Sequence, residues 1–153
     1  LIMKSTLFAA VLMFSALFTF GQSDNPKYDQ VLAKSLGGDD YGMKMYVFVI
    51  LKTGSYSPEK KISDSLFMGH MRNIKRLADS GKLIVAGPMR KNDKNYRGLF
   101  ILNATSLEEG RLLVDSDPAV QSKLLDAELF QWYGSAALPQ YLKYHELVEK
   151  KKM

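Results

Sequence analysis

His70 is the residue with the most chemistry to offer in this chain. It belongs to a run, Ile62, Leu66, His70, Ile74 and Leu77, whose steps of four and three line up one face of an α-helix. An imidazole therefore points where aliphatic side chains point. Such a histidine is either a core residue satisfied through one ring nitrogen, or a proton-transfer group held in an apolar cleft. Periodicity alone does not choose between them. Asp117 offers a similar choice: aspartate before Pro118 is a common helix N-cap, and a capping carboxylate can also face a cleft.

Other chemistry is sparse. The 153 residues include no cysteine, which removes disulfides, thiol nucleophiles and thiolate metal ligands. The two histidines, His70 and His145, lie far apart, so no metal site is expected. No cofactor is expected either, because Gly37-Gly38 follows a short helix and leads into a strand, the wrong order for a dinucleotide-binding loop. Ser116 has no nucleophile-elbow pattern around it and reads as a turn residue. Tyr96 and Arg97, at the head of a strand, are candidates for holding an anionic substrate group, against a default of surface placement. Tyr46, Phe48, Phe100, Trp132 and Tyr133 are either core or the lining of a pocket for a ring-shaped ligand.

These residues need elements to hold them. The helix carrying His70 is expected to open with Ser57 as N-cap and Pro58 at its first position, and to stop at Ser80-Gly81. Arg72, Asn73, Lys75, Arg76 and Asp79 fall mostly on its other side. A short apolar strand at 83–86, closed by Gly87-Pro88, is joined by the charged loop 90–96 to a strand at 98–104, and the two read as a hairpin. Ser106 and Glu109 form a capping box for a second helix ending near residue 114, with Leu107, Leu112 and Leu113 on its apolar side. Asp117-Pro118 then opens a helical turn, and 124–132 is the last strand. Residues 45–51 are apolar without alternation, the pattern of a strand buried on both faces. Strand, helix, strand, strand, helix, strand is the ferredoxin-like βαββαβ unit, an α+β fold with helices on one face of an antiparallel sheet. The other face, with Val47, Val49, Phe100 or their neighbours, calls for a partner, and a homodimer stacking two sheets into an α+β barrel supplies one.

His70, Leu77, the run Gly81-Lys82-Leu83-Ile84-Val85-Ala86-Gly87-Pro88, Arg97-Gly98 and Asp115-Ser116-Asp117-Pro118 together resemble the YCII-related (YciI-like) domain, over about residues 43–132. The resemblance implies the same dimeric α+β barrel. It also implies that His70 and Asp117 are the active-site pair, the first matching a histidine on the family's first helix and the second an aspartate in its Asp-Pro element. Many relatives carry an arginine three residues before the histidine, where this chain has Phe67, and Phe67 joins Tyr96 and Arg97 as a ligand-binding candidate. Asp115 is a second candidate partner outside the matched pair. An ionised Asp117 beside His70 would favour the imidazolium and fix which ring nitrogen carries the proton. Such a pair suits proton abstraction next to a carbonyl, isomerisation or elimination, contributing roughly 10² to 10⁴ in rate per proton-transfer group. The expected function is a cofactor-independent lyase or isomerase acting on a small cyclic or carboxylated compound. The alternative is a noncatalytic homodimer of the same family that binds a small ligand or only assembles, with His70 a buried hydrogen-bonded residue.

A composition of 46% hydrophobic and 24% charged residues fits one globular domain with appendages. The net charge of +5 is modest and its excess sits largely in Lys150, Lys151 and Lys152, so no nucleic-acid partner is expected. Residues 1–21 read as a secretory signal peptide, with Met3 as initiator, Lys4 as the positive region and 7–20 as the apolar run. Residues 22–42 are an extension with a short helix at 28–36, 43–133 the YciI-like domain, and 134–153 a tail in which 133–137 links to a helix at 139–150. The mature protein is expected to be exported, periplasmic or secreted, without stable membrane insertion.

Overall fold

Strand β1 (Met43–Thr53) is the axis of the sheet. It pairs antiparallel with β3 (Tyr96–Leu102) on one side and β4 (Leu125–Ser135) on the other, and β2 (Leu83–Pro88) lies outside β3, giving the order β2-β3-β1-β4. The helices α2 (Lys60–Asp79), α3 (Leu107–Asp115) and α4 (Pro118–Gln121) cover one face. This is the ferredoxin-like α+β fold. The computed structural model describes residues 25–151, apart from the side chain of Glu146, so the expected signal peptide lies outside the described residues.

The sheet sorts β1 by alternation, which its uniformly apolar sequence had hidden. Val47, Val49 and Leu51 point to the helices and form the core with Phe100, Leu102, Leu77 and Val114. Phe48 and Ile50 point the other way and are only half-buried. On that open face Phe48 lies between Ile101 and Phe130, and Ile50 is opposite Leu99. The residues that call for a partner are therefore these neighbours, and Val47, Val49 and Phe100 do not.

Several local signals act as the sequence suggests. Helix α2 stops at Gly81, whose φ of 69° is the left-handed conformation, with Lys82 N–H bonded to the Leu77 carbonyl at 2.9 Å. Ser106 Oγ accepts from Glu109 N–H at 3.1 Å, while the Glu109 carboxylate reaches back to Thr105 N–H at 3.2 Å.

Others are corrected. Helix α2 begins at Lys60 rather than at Pro58, because Gly54 and Tyr56 N–H bond to the Leu124 and Lys123 carbonyls, both at 3.0 Å, and hold the connection extended. Ile62 is exposed, so the apolar stripe starts at Leu66. On α3, Leu113 packs against the core as expected, but Leu107 and Leu112 are exposed and the fully buried residues are Gly110 and Val114. Gly110 decides this, since a Cβ there would stand 2.8 Å from Val47 Cγ1. Residues 133–135 are the end of β4 rather than a link, and the Tyr46 hydroxyl donates to the Ser135 carbonyl at 2.8 Å. A 3₁₀ turn (Leu138–Tyr141) and helix α5 (Leu142–Val148) follow, with the Tyr141 hydroxyl donating to the Ile84 carbonyl. Helix α1 (Gln30–Leu36) is capped by Asp29 and by Gly37; Ala33 and Leu36 are half-buried, and Val31 and Leu32 are exposed.

Candidate active site

His70 sits midway along α2 on the face turned to the sheet, with its ring stacked over Phe100 of β3 at a centroid distance of 5.9 Å and 21° between planes. Only 7% of the residue is exposed. Four residues of α4 pack across this part of α2, and the closeness depends on Gly69, where a Cβ would lie 3.1 Å from Pro118 Cγ. That approach carries the α4 N-cap, Asp117, to the histidine. His70 Nδ1 and Asp117 Oδ2 are 2.7 Å apart.

Asp117 is 1% exposed, so each of its oxygens must be satisfied by protein. Oδ1 accepts from Ala119 N–H at 2.9 Å, which is the helix cap, and Oδ2 accepts from His70 and from Asn73 Nδ2 at 3.2 Å. The capping and pairing roles are thus divided between the two oxygens. Burial alone would raise the carboxyl's pKa, but the hydrogen bond and charge of His70, the Ala119 amide and Asn73 together outweigh it and hold the group below its ordinary value. An ionised acceptor at Oδ2 orients the ring with Nδ1–H toward it. No described residue bonds Nε2, and no fully buried side-chain nitrogen or oxygen among them lacks a partner, so Nε2 is not fully buried. The result is an oriented imidazole able to take or give a proton at Nε2.

Three further residues of this site were assigned elsewhere from sequence. Asn73 is 6% exposed rather than on the solvent side, as its place three residues after His70 and four before Leu77 could have signalled. Its Oδ1 accepts from Arg76 Nη2 at 2.6 Å and from Ser116 Oγ at 3.2 Å, and Arg76 Nη2 also reaches Ser116 Oγ at 2.8 Å. Ser116 keeps its turn role through a bond to the Leu113 carbonyl at 2.6 Å. Asp115 is exposed and pairs with Arg111 at 3.7 Å, away from His70.

Phe67 meets the His70 ring edge-on, at 6.0 Å and 89°. Tyr96 and Arg97 line a surface cleft of about 340 Å³. A second cleft, of about 440 Å³ between Gly54, Lys123 and Asp126, touches none of the candidates, and neither cleft includes His70 itself. Of the aromatic candidates, Tyr46 and Phe100 are buried, while Phe48 and Trp132 lie on the open face and Tyr133 bonds Asp39. Among the described residues no group of three or more histidine, aspartate or glutamate side chains could hold a metal ion.

The family model described as the YCII-related domain matches residues 45–133. Among solved structures, 5-chloro-2-hydroxyhydroquinone dehydrochlorinase from Burkholderia phenoliruptrix AC1100, in complex with 2,5-dihydroxybenzoquinone, is similar at 22% identity and a TM-score of 0.41, covering 56% of this chain and 92% of that one. A comparison with curated proteins found no match.

Proposed function

The chain belongs to the YCII-related family, and on that footing we propose that it is a cofactor-independent acid–base enzyme of the lyase or isomerase type, with His70 transferring the proton and Asp117 orienting it. The observation that carries this reading is the 2.7 Å contact between His70 Nδ1 and a buried carboxylate, with Nε2 left without a partner among the described residues. In the resting state the ring donates Nδ1–H to Asp117. Nε2 removes a proton from carbon next to a carbonyl, and the imidazolium so formed is balanced by the Asp117 charge. Returning that proton to a different atom of the substrate completes an isomerisation; loss of a leaving group as the carbon electron pair collapses completes an elimination. The substrate is a small cyclic or carboxylated compound. The active unit is a homodimer joined through the open sheet face, and the protein acts after export, in the periplasm or outside the cell, once the leader at 1–21 is removed.

A second reading is a noncatalytic homodimer that binds a small ligand. The low exposure of His70, and its place outside both clefts, favour it.

Deuterium exchange separates the two. The purified protein is incubated in D₂O with a panel of small carbonyl compounds and ring acids, and carbon-bound deuterium is followed by NMR or mass spectrometry. The enzyme reading expects incorporation into at least one compound that His70→Gln abolishes. Absence of incorporation across the panel, or incorporation that H70Q leaves unchanged, sinks it.

A further inference from the structure

Near the start of β3 the pairing with β1 slips. Leu51 faces Gly98 but Lys52 faces Tyr96, so Arg97 is the extra residue of a β-bulge. A bulge re-aims the side chain it adds. Strict alternation would place Arg97 with Leu99 and Ile101 on the open face; instead its guanidinium lies over the ring of Phe67 on α2, 6.0 Å from the centroid. Phe67 in turn meets His70. Arg97 is therefore one aromatic ring away from the histidine, on the helix side of the sheet.

Arg97 also lines the cleft of about 340 Å³, together with Lys91, Asn92 and Tyr96. Asn92 braces this wall: its Oδ1 accepts from Lys94 N–H at 3.0 Å and Tyr96 N–H at 3.1 Å, and its Nδ2 donates to the Arg90 carbonyl at 2.9 Å and the Tyr96 carbonyl at 2.8 Å. The Arg97 carbonyl accepts from Met89 N–H at 2.8 Å, which fixes the bulged residue. A wall ordered in advance loses little entropy when a ligand arrives. Lys52, paired across the strands with Tyr96, is neutralised by Glu128 at 2.5 Å. Neither Lys91 nor Arg97 has a carboxylate partner among the described residues. Two cations in one cleft attract an anion, and a guanidinium matches a carboxylate through two parallel hydrogen bonds.

We propose that this cleft is the subsite for the carboxylate of a small organic acid, held by Arg97 with Lys91, one aromatic ring away from His70. Its purpose rests on the acid–base reading of His70, but binding there does not.

The test is a titration of the full chain with benzoate, and with benzamide as the uncharged analogue of the same shape, followed by amide NMR. Benzoate is expected to shift the amides of Phe67 and of residues 91–97, and benzamide to leave them in place. Arg97→Gln weakens benzoate at least about tenfold, the loss of one charged hydrogen-bonded contact, and Lys91→Gln weakens it by a smaller factor. Arg97 is exposed, so an unchanged thermal midpoint serves as the folding control for R97Q. Equal shifts from benzamide, undiminished binding by R97Q, or no response of the loop to millimolar benzoate would overturn the proposal. Failure of deuterium exchange alongside intact, Arg97-dependent benzoate binding removes the enzyme reading and leaves the subsite standing.

Discussion

Asn73 donates its side-chain amide to the same Asp117 oxygen that receives His70, with Nδ2 3.2 Å from Oδ2. The opposite end of that amide accepts from Arg76 and Ser116, so the group cannot turn over without placing an acceptor against a carboxylate and a donor against a guanidinium. Asn73→Ala deprives the buried carboxylate of one donor, while Arg76 keeps its bond to Ser116 and Ser116 its bond to the Leu113 carbonyl. Unfolding free energy should fall by about 1–3 kcal/mol, the usual cost of unsatisfied buried polar groups. Urea denaturation reads this loss, and the ¹⁵N spectrum of the His70 ring reads the changed environment of the carboxylate that Nδ1 faces. A variant with wild-type stability and an unchanged ring spectrum would show that the network does not hold the pair.

Asp117 should shape the acid limb of stability. Burial pushes its carboxyl up, but the His70 bond and charge, with the Ala119 amide and Asn73, leave it below the ordinary value. A carboxyl depressed on folding stabilises the native state above its unfolded pKa, about 3.9, and that contribution disappears as pH falls through the folded value. Asp117→Asn is therefore expected to be less stable than wild type at neutral pH and to lose stability less steeply below about pH 4. Parallel curves of denaturation midpoint against pH for the two proteins would show that the carboxylate is not coupled to folding.

The element order and most turning points were legible because each rests on a local signal: Gly81 for the end of α2, Ser106 for the start of α3, Asp117-Pro118 for α4. What escaped depends on contacts between elements. Asn73 looked like a solvent residue because amides usually are, although its step from His70 is a same-face step; only the arrival of α4 gives it a partner. In sequence Arg97 stands at the head of a strand beginning at residue 98, and its bulge was not legible, since a bulge arises from pairing with β1 rather than from the residues around it. The two faces of β1 could not be told apart because both are apolar, and which is covered depends on Gly110 letting α3 down onto Val47. Asp117 resisted a single reading for a simpler reason: it has two oxygens, and one caps while the other pairs.

The two close-packed glycines should respond differently to alanine. In both helices the change gains about 1 kcal/mol of helix propensity. At Gly69 the added Cβ meets the Pro118 ring at 3.1 Å, a contact that a small shift of α4 relieves. At Gly110 it meets three atoms of Val47 between 2.8 and 3.1 Å, on a central strand held from both sides. Gly110→Ala should therefore lose stability, since overpacking of about 1–3 kcal/mol exceeds the propensity gain. Gly69→Ala should stay near wild-type stability while moving Asp117 away from His70, visible as a changed His70 ring spectrum. Thermal melts of both variants check the contrast, and a G110A protein as stable as G69A would contradict it.

The open face of the sheet leads to the last expectation. Phe48, Ile50, Leu99, Ile101 and Phe130 are neighbours across three strands, and Phe130 is 48% exposed in the single chain. A contiguous apolar patch of this kind is unusual on a monomer, and covering it with an identical sheet buries both patches at once. The protein should sediment as a dimer. Ile101→Glu with Phe130→Glu places carboxylates where the two sheets would meet, and an unpaired buried charge costs several kcal/mol. Within one chain both positions point away from the helix-side core, so the double variant should sediment as a folded monomer with a wild-type circular dichroism spectrum. A wild-type protein that sediments as a monomer, or a double variant that remains dimeric, would place the subunit contact somewhere other than this face.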